Sequence, residues 1–308
     1  MSDRIPILLD VDTGIDDAAA IALAVHSPDA DLVSVSTVAG NTTIENATRN
    51  TLDVLDLLGA THVPVYRGAS RPLVRDLFTA AHAHGSNGVG GADLTRSKRL
   101  PGELKGPASI VAHALARPKE FTLVCLGPLT NLAIALNVQP DLPELLKRLV
   151  IMGGAFWTPG NIKPHRHAEF NIYVDPEAAQ QVFDAGFAEF YAVGLDVTHE
   201  APVSPEVWEL VTSSDSAPAE VIQTLYRSRI EDPSSGTAYI HDAMAVAAAL
   251  DPTLIEWETH DIQVPLDEVH RGQTRLVPGD RVRVSKSVDA LTFMERFYQR
   301  LGIGPRPS

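Results

Sequence analysis

Short apolar runs rich in β-branched residues alternate along the chain with longer segments whose apolar positions recur at helical spacing. The runs are IPILLD, DLVSVSTVAG, VPVYRG, FTLVCLG, RLVIMGGA and FYAVGLDVT. Between them the pattern predicts helices over 16–25, 43–58, 107–116, 130–136 and 176–184. Thr42 or Thr43 supplies a capping hydroxyl for the second of these, and Gly59 suits its exit. Farther along, HDAMAVAAAL reads as a helix, strand-like runs follow at 257–264, 274–277 and 282–285, and a last helix covers 289–300. Such alternation predicts an α/β fold: a single-domain, Rossmann-like, mostly parallel sheet with helices on both faces. No repeat, heptad or Pro/Gly/Ser-rich linker divides 1–308, and only 301–308 reads as a frayed tail.

Composition narrows what such a fold binds. With 308 residues and 44% hydrophobic content the chain buries a core without disulfides. Its 25 basic against 39 acidic residues, a formal −14, disfavour nucleic acid and anionic membrane and favour a small neutral ligand. Cys125, alone and inside FTLVCL, reads as a small buried hydrophobe. The few residues before Asp10 are too short for a signal peptide, and no apolar stretch reaches the length of a membrane span. The expectation is a cytoplasmic protein.

Ligands of such sheets bind beyond the carboxyl ends of the strands. Asp10, Asp12, Asp16 and Asp17 follow the first run; Gly40 and Asn41 the second; Leu126, Gly127 and Pro128 the fourth; Met152, Gly153 and Gly154 the fifth. The next segment adds Asn161, Glu169 and Asn171. Oxygen donors dominate, which suits a hard cation such as Ca²⁺ or Mg²⁺. DVDTGIDD is not an EF-hand loop, because Ile15 stands at its sixth position and Ile21 at its twelfth. A strand ending in DxDT also suits a haloacid-dehalogenase-like, Mg²⁺-dependent phosphohydrolase, yet Asp16 and Asp17 at the following helix start repel a phosphate. Each acid alone is an ordinary cap or first-turn residue. Four in eight positions call for a cation.

DVDTGIDDAAAI is similar to the DxDPGxDDAxAI signature of the inosine-uridine-preferring nucleoside hydrolases. STVAGN, GPLTNLAIAL, VIMGGAF, GNIKPHRHAEFNIYVDPEAA and HDAMAV follow in that family's order. Thr13 departs from the family's proline, trading a fixed φ for a hydroxyl. The resemblance implies Ca²⁺-dependent hydrolysis of the N-glycosidic bond of ribonucleosides to free base and ribose. It makes Asp12 the general base and Asp17 the bidentate Ca²⁺ ligand, with Asp10 and Asp12 beside it, the Leu126 carbonyl, and Asp242 closing the shell. It assigns Asp16, Asn41, Asn161, Glu169 and Asn171 to the ribose hydroxyls, and Met152 and Phe170 complete the substrate-binding set. In an extended AEFNI, Glu169 and Asn171 share one face while Phe170 points to the other. His84 lies in a glycine-rich loop fit to fold over the site, and His241 precedes Asp242 where it can assist departure of the base. That histidine resembles broad or pyrimidine-accepting members, and Trp157 and Tyr226 are further base-contact candidates. The resemblance also implies a homodimer or homotetramer. A non-catalytic, Ca²⁺-stabilised nucleoside-binding protein is the remaining alternative.

Overall fold

The computed structural model describes residues 4–232 and 236–303. In chain order the elements are β1 (Ile5–Val11), α1 (Ile15–His26), β2 (Ala30–Thr37), α2 (Ile44–Leu57), β3 (Val65–Arg67), α3 (Ala81–His84), α4 (Gly106–Ala116), β4 (Thr122–Cys125), α5 (Thr130–Val138), α6 (Leu142–Leu145) and β5 (Arg148–Met152). They continue with α7 (Phe170–Val174), α8 (Pro176–Asp184), β6 (Phe190–Val193), α9 (Leu195–Thr198), α10 (Pro205–Thr212), α11 (Ala217–Glu231), α12 (His241–Leu250), β7 (Ile255–Gln263), β8 (Arg275–Val288) and α13 (Ala290–Arg300).

The strands form one sheet in the order β3-β2-β1-β4-β5-β6-β8-β7. β1 pairs in parallel with both β2 and β4, and the β7–β8 pair is antiparallel. The chain therefore winds away from β1 in both directions, which opens a crevice at its carboxyl end. Alternation along β1 sends Ile7, Leu9 and Val11 into one core and Leu8 into the other. Asp10 falls on the side of Leu8, and Asp12 lies just past the strand.

The first core holds α1 and α12, which pack together through Ala18–Ala20, Ala22, Ala24, Ala243, Ala245 and Ala247–Ala249. Small side chains let two helix axes approach closely. The N-terminal turns of both helices, carrying Asp16, Asp17 and Asp242, consequently meet in the crevice. Their dipoles favour negative charge there.

Four local expectations change. The runs at 274–277 and 282–285 are one strand, β8, whose register against β7 shifts beside His260 and Asp261. The pattern predicts no element over 205–231, where α10 and α11 stand, although Ser204 and Ser216 each cap a helix that opens with proline in its first turn. AEFNI is not extended. Glu169 is the N-cap of α7 and accepts the backbone N–H groups of Asn171 at 3.0 Å and Ile172 at 3.1 Å, which captures the free donors of a helix start. Of the expected tail, Leu301 and Ile303 are buried in the first core around the left-handed Gly302; 304–308 lie outside the described residues. No helix among the described residues is long and apolar enough to cross a membrane.

Candidate active site

A cavity of about 410 Å³ lies among the residues that follow β1, β2, β4 and β5. The turn after β1 is short because Gly14 caps α1 directly. Asp17 folds back onto that turn: its Oδ2 accepts the Gly14 N–H at 2.8 Å and its Oδ1 the Asp12 N–H at 3.2 Å. Asn41, just past β2, ties the acids together. Its backbone N–H donates to Asp12 Oδ2 at 2.6 Å, and its Nδ2 donates to Asp12 Oδ1 and Asp17 Oδ2, both at 3.2 Å. Gly40 keeps this clasp open, since a Cβ there would stand 2.1 Å from Asp12 Oδ2.

Asp16, Asp17 and Asp242 are buried, and each presents a carboxylate oxygen within 4.8 Å of the others. Burial pushes Asp16 up to about 6. Burial and then the facing Asp17 charge hold Asp12 well above the usual carboxylate range, and burial with Asp16 and Asp17 does the same to Asp242. Asp16 Oδ1 is buried with no hydrogen-bond partner. Converging hard oxygens that resist ionisation beside one another, one of them unsatisfied, fit a divalent cation such as Ca²⁺ or Mg²⁺. Asp12 and Asp242 both abut Asp17 and extend the acidic floor.

Asp10 stands apart from that floor. Its Oδ1 accepts Ser36 Oγ at 2.6 Å and Asn131 Nδ2 at 2.7 Å, and it does not line the cavity. It splices β1 to β2 and α5 beneath the site. An aspartyl nucleophile at Asp10, as the phosphohydrolase alternative requires, would have its Oδ1 tied to Ser36 and Asn131.

Glu169 and Asn171 form the opposite flank. Glu169 also accepts the Gly154 N–H, at 3.2 Å, and burial raises its pKa. Asn171 Nδ2 donates to the carbonyls of Leu126 at 2.7 Å and Met152 at 3.0 Å, clamping the ends of β4 and β5. Phe170 lines the cavity with them, a placement that the helical start of α7 permits and an extended strand would not. Asn161 lines it too.

His84 comes over from α3, and its Nδ1 accepts the Ile15 N–H at 3.0 Å. Burial lowers its pKa to about 4, so the ring is neutral near pH 7 and its 3.9 Å approach to Asp16 is no ion pair. His241 Nδ1 lies 2.8 Å from Thr198 Oγ1, and burial takes its pKa down to about 3. Around it His199 and Tyr239 complete an aromatic wall, with ring centroids 4.9 to 5.7 Å apart. Tyr226 joins the lining. Trp157 does not: its ring packs 3.9 Å from the Lys286 ammonium and beside His260. Sequence reasoning missed His199, Tyr239 and Arg229. Tyr239, two residues before His241, carried a spacing signal; His199 and Arg229 carried none.

Residues 7–295 match the family model described as inosine-uridine preferring nucleoside hydrolase. The non-specific ribonucleoside hydrolase RihC of Klebsiella pneumoniae is 42% identical over 82% of this chain and 81% of its own. The inosine-uridine preferring nucleoside hydrolase of Leishmania major is 36% identical over 85% and 83%, respectively. Among solved structures, the purine-preferring ribonucleoside hydrolase of Gardnerella vaginalis superposes with a TM-score of 0.89 at 30% identity, covering 96% of this chain and 98% of that one. With Asp16, Asp242 and the aromatic wall lining one cavity, and Asn41 of that cavity clasping Asp12 and Asp17, the chain belongs to the inosine-uridine preferring nucleoside hydrolase family.

Proposed function

We propose that this protein hydrolyses the N-glycosidic bond of ribonucleosides to free base and ribose with one Ca²⁺ bound, and that it accepts pyrimidine as well as purine nucleosides. The carrying observation is that Asp16 and Asp242 line one cavity opposite an aromatic wall, while Asn41 of the same cavity holds the buried Asp12 and Asp17 against them. Asp12, Asp17, Asp242 and the Leu126 carbonyl would hold the cation, which supplies positive charge that fixes a water and two vicinal hydroxyls.

Asp12 accepts the proton of the attacking water. Both its oxygens are oriented by Asn41, and its raised pKa suits a proton acceptor near neutral pH. Asp16, Asn41, Asn161, Glu169 and Asn171 hold the ribose. Asn171 spends its amide N–H groups on the backbone, which leaves Oδ1 to accept from a hydroxyl. As the C1′–N bond breaks, the ribosyl group becomes cationic and the surrounding carboxylates stabilise it. His241 donates a hydrogen bond to the departing base, and Met152, Phe170 and His84 close the pocket around the sugar. The non-specific relative supports breadth toward the base. The expected assembly is a homodimer or homotetramer, which sedimentation velocity measures.

The test is reducing-sugar release from inosine, uridine, cytidine, adenosine and guanosine, with and without chelator. Release from both base classes that chelation abolishes and Ca²⁺ restores is expected. Nucleoside binding with no ribose released from any of the five would leave the non-catalytic alternative instead.

A further inference from the structure

The cavity wall contains a cation that the reaction as described does not use. Arg229 lines it from α11, three residues after Tyr226 and hence on the same helix face. Its Nη1 donates to the Ala83 carbonyl and its Nη2 to the Thr237 carbonyl, each at 3.4 Å, and its Nε is buried with no hydrogen-bond partner. These are long bonds to neutral acceptors and leave guanidinium N–H groups unspent. Tyr226 Oη donates to the Tyr239 carbonyl at 3.3 Å, so Arg229 belongs to the wall of Tyr239 and His241. Its positive charge reaches Asp16, His84 and His241.

A fixed cation opposes a reaction that makes ribose cationic, unless it acts on the part of the substrate that becomes negative. In nucleoside hydrolysis that part is the base. Resting on the function proposed above, we propose that Arg229 is a catalytic residue that donates to a carbonyl oxygen of the departing nucleobase and stabilises its developing negative charge. The C1′–N electron pair moves onto the base, the water oxygen bonds to C1′, Asp12 takes the water proton and returns it to solvent, and the base nitrogen takes a solvent proton relayed through the neutral His241. The guanidinium takes no part in the proton transfers, so its part is electrostatic.

The test compares leaving groups on the Ca²⁺-loaded enzyme. In Arg229→Gln, kcat for uridine and inosine falls about a hundredfold, while kcat for p-nitrophenyl ribofuranoside, whose leaving group needs no help, changes by less than about threefold. Adenosine, which has no base carbonyl, loses less than inosine. Arg229→Lys keeps the charge and recovers part of the loss on uridine. An equal fall on all substrates would overturn the proposal and make Arg229 an anchor between the Ala83 and Thr237 loops. The rise in Tm on adding Ca²⁺ reports an intact fold; if Arg229→Gln lacks it, the same ratio is measured in Arg229→Lys, and a uniform loss there overturns the proposal equally. Absence of ribose release by the parent enzyme would instead overturn the function on which the inference rests.

Discussion

Gly40→Ala isolates the positioning of Asp12 without touching any acid. The Gly40 backbone lies outside the left-handed region, so alanine meets no conformational penalty. Its Cβ, however, would stand 2.1 Å from Asp12 Oδ2 and 2.6 Å from Pro128 Cδ, against the 3.0 Å below which real Cβ contacts essentially never fall. Pro128 is ring-locked and part of the β4 exit, so Asp12 is the group that yields, by about 1 Å. Moving it breaks the 2.6 Å bond from the Asn41 N–H, a donor in a buried loop. Stranding that donor costs about 1–3 kcal/mol, which lowers Tm by several degrees. An error of about 1 Å in a catalytic group costs on the order of a hundredfold in rate. The assay is kcat for uridine, or the best substrate of the panel, at saturating Ca²⁺, beside a thermal melt. A kcat within about threefold of the parent, in a protein that melts several degrees lower, would refute the reasoning, because the clasp would then have broken without disturbing the proton acceptor.

Three further outcomes follow from the same geometry. Asp17→Ala removes the acid that Asp12 and Asp242 both abut, so Ca²⁺ binding by calorimetry and ribose release should vanish together; unchanged Ca²⁺ affinity would remove Asp17 from the ligand set. 2′-Deoxynucleosides should react on the order of a thousandfold more slowly than ribonucleosides, since buried polar groups built for a hydroxyl are stranded without it, and equal rates for uridine and deoxyuridine would contradict that role for Asp16 and Asn171. Metal-free protein should become more stable on acidification: burial raises Asp10 and Asp16 from 3.8 to about 6 and holds Asp12 and Asp242 well above the usual range, so these four acids take up protons in the folded state and their stabilisation is lost as pH rises through the folded pKa values, outweighing the buried neutral His84 and His241, which act in the opposite sense below about pH 6.5. Melts in chelator at pH 5 and pH 8 measure this, and a higher Tm at pH 8 would contradict it.

The sheet and the acid floor were legible because each rests on a local pattern. Buried strands read as apolar runs, and the acids at 10–17 sit immediately after one of them. Helix existence was clear wherever alanine and leucine recurred, as in α1 and α12. α10 and α11 were not, because α10 buries only Val211 and α11 ends in the polar run RSRIE. AEFNI misled for a different reason: period-two spacing of Glu169 and Asn171 suits a strand, but a glutamate that accepts two consecutive backbone N–H groups starts a helix instead. Apart from His241 and the nearby Tyr239, the cavity wall was illegible in principle. His199 follows β6, Arg229 is on α11 and Tyr239 precedes α12, and only tertiary packing joins them.

The difference between Asp10 and Asp12 shows how one motif divides between support and chemistry. Both are fully buried, both are raised by desolvation, and they are two residues apart. Asp10 still belongs to β1, and the pleat turns it toward Ser36 and Asn131, neutral donors that satisfy one oxygen and let the group stay where it is. Asp12 is past the strand, where its side chain abuts Asp17 and accepts from the amide of Asn41. A carboxylate held by neutral amides beside a second carboxylate is oriented without being neutralised. That combination suits Asp12 to the proposed role of proton acceptor, whereas the same residue type at Asp10 ties β1 to β2 and α5 beneath it.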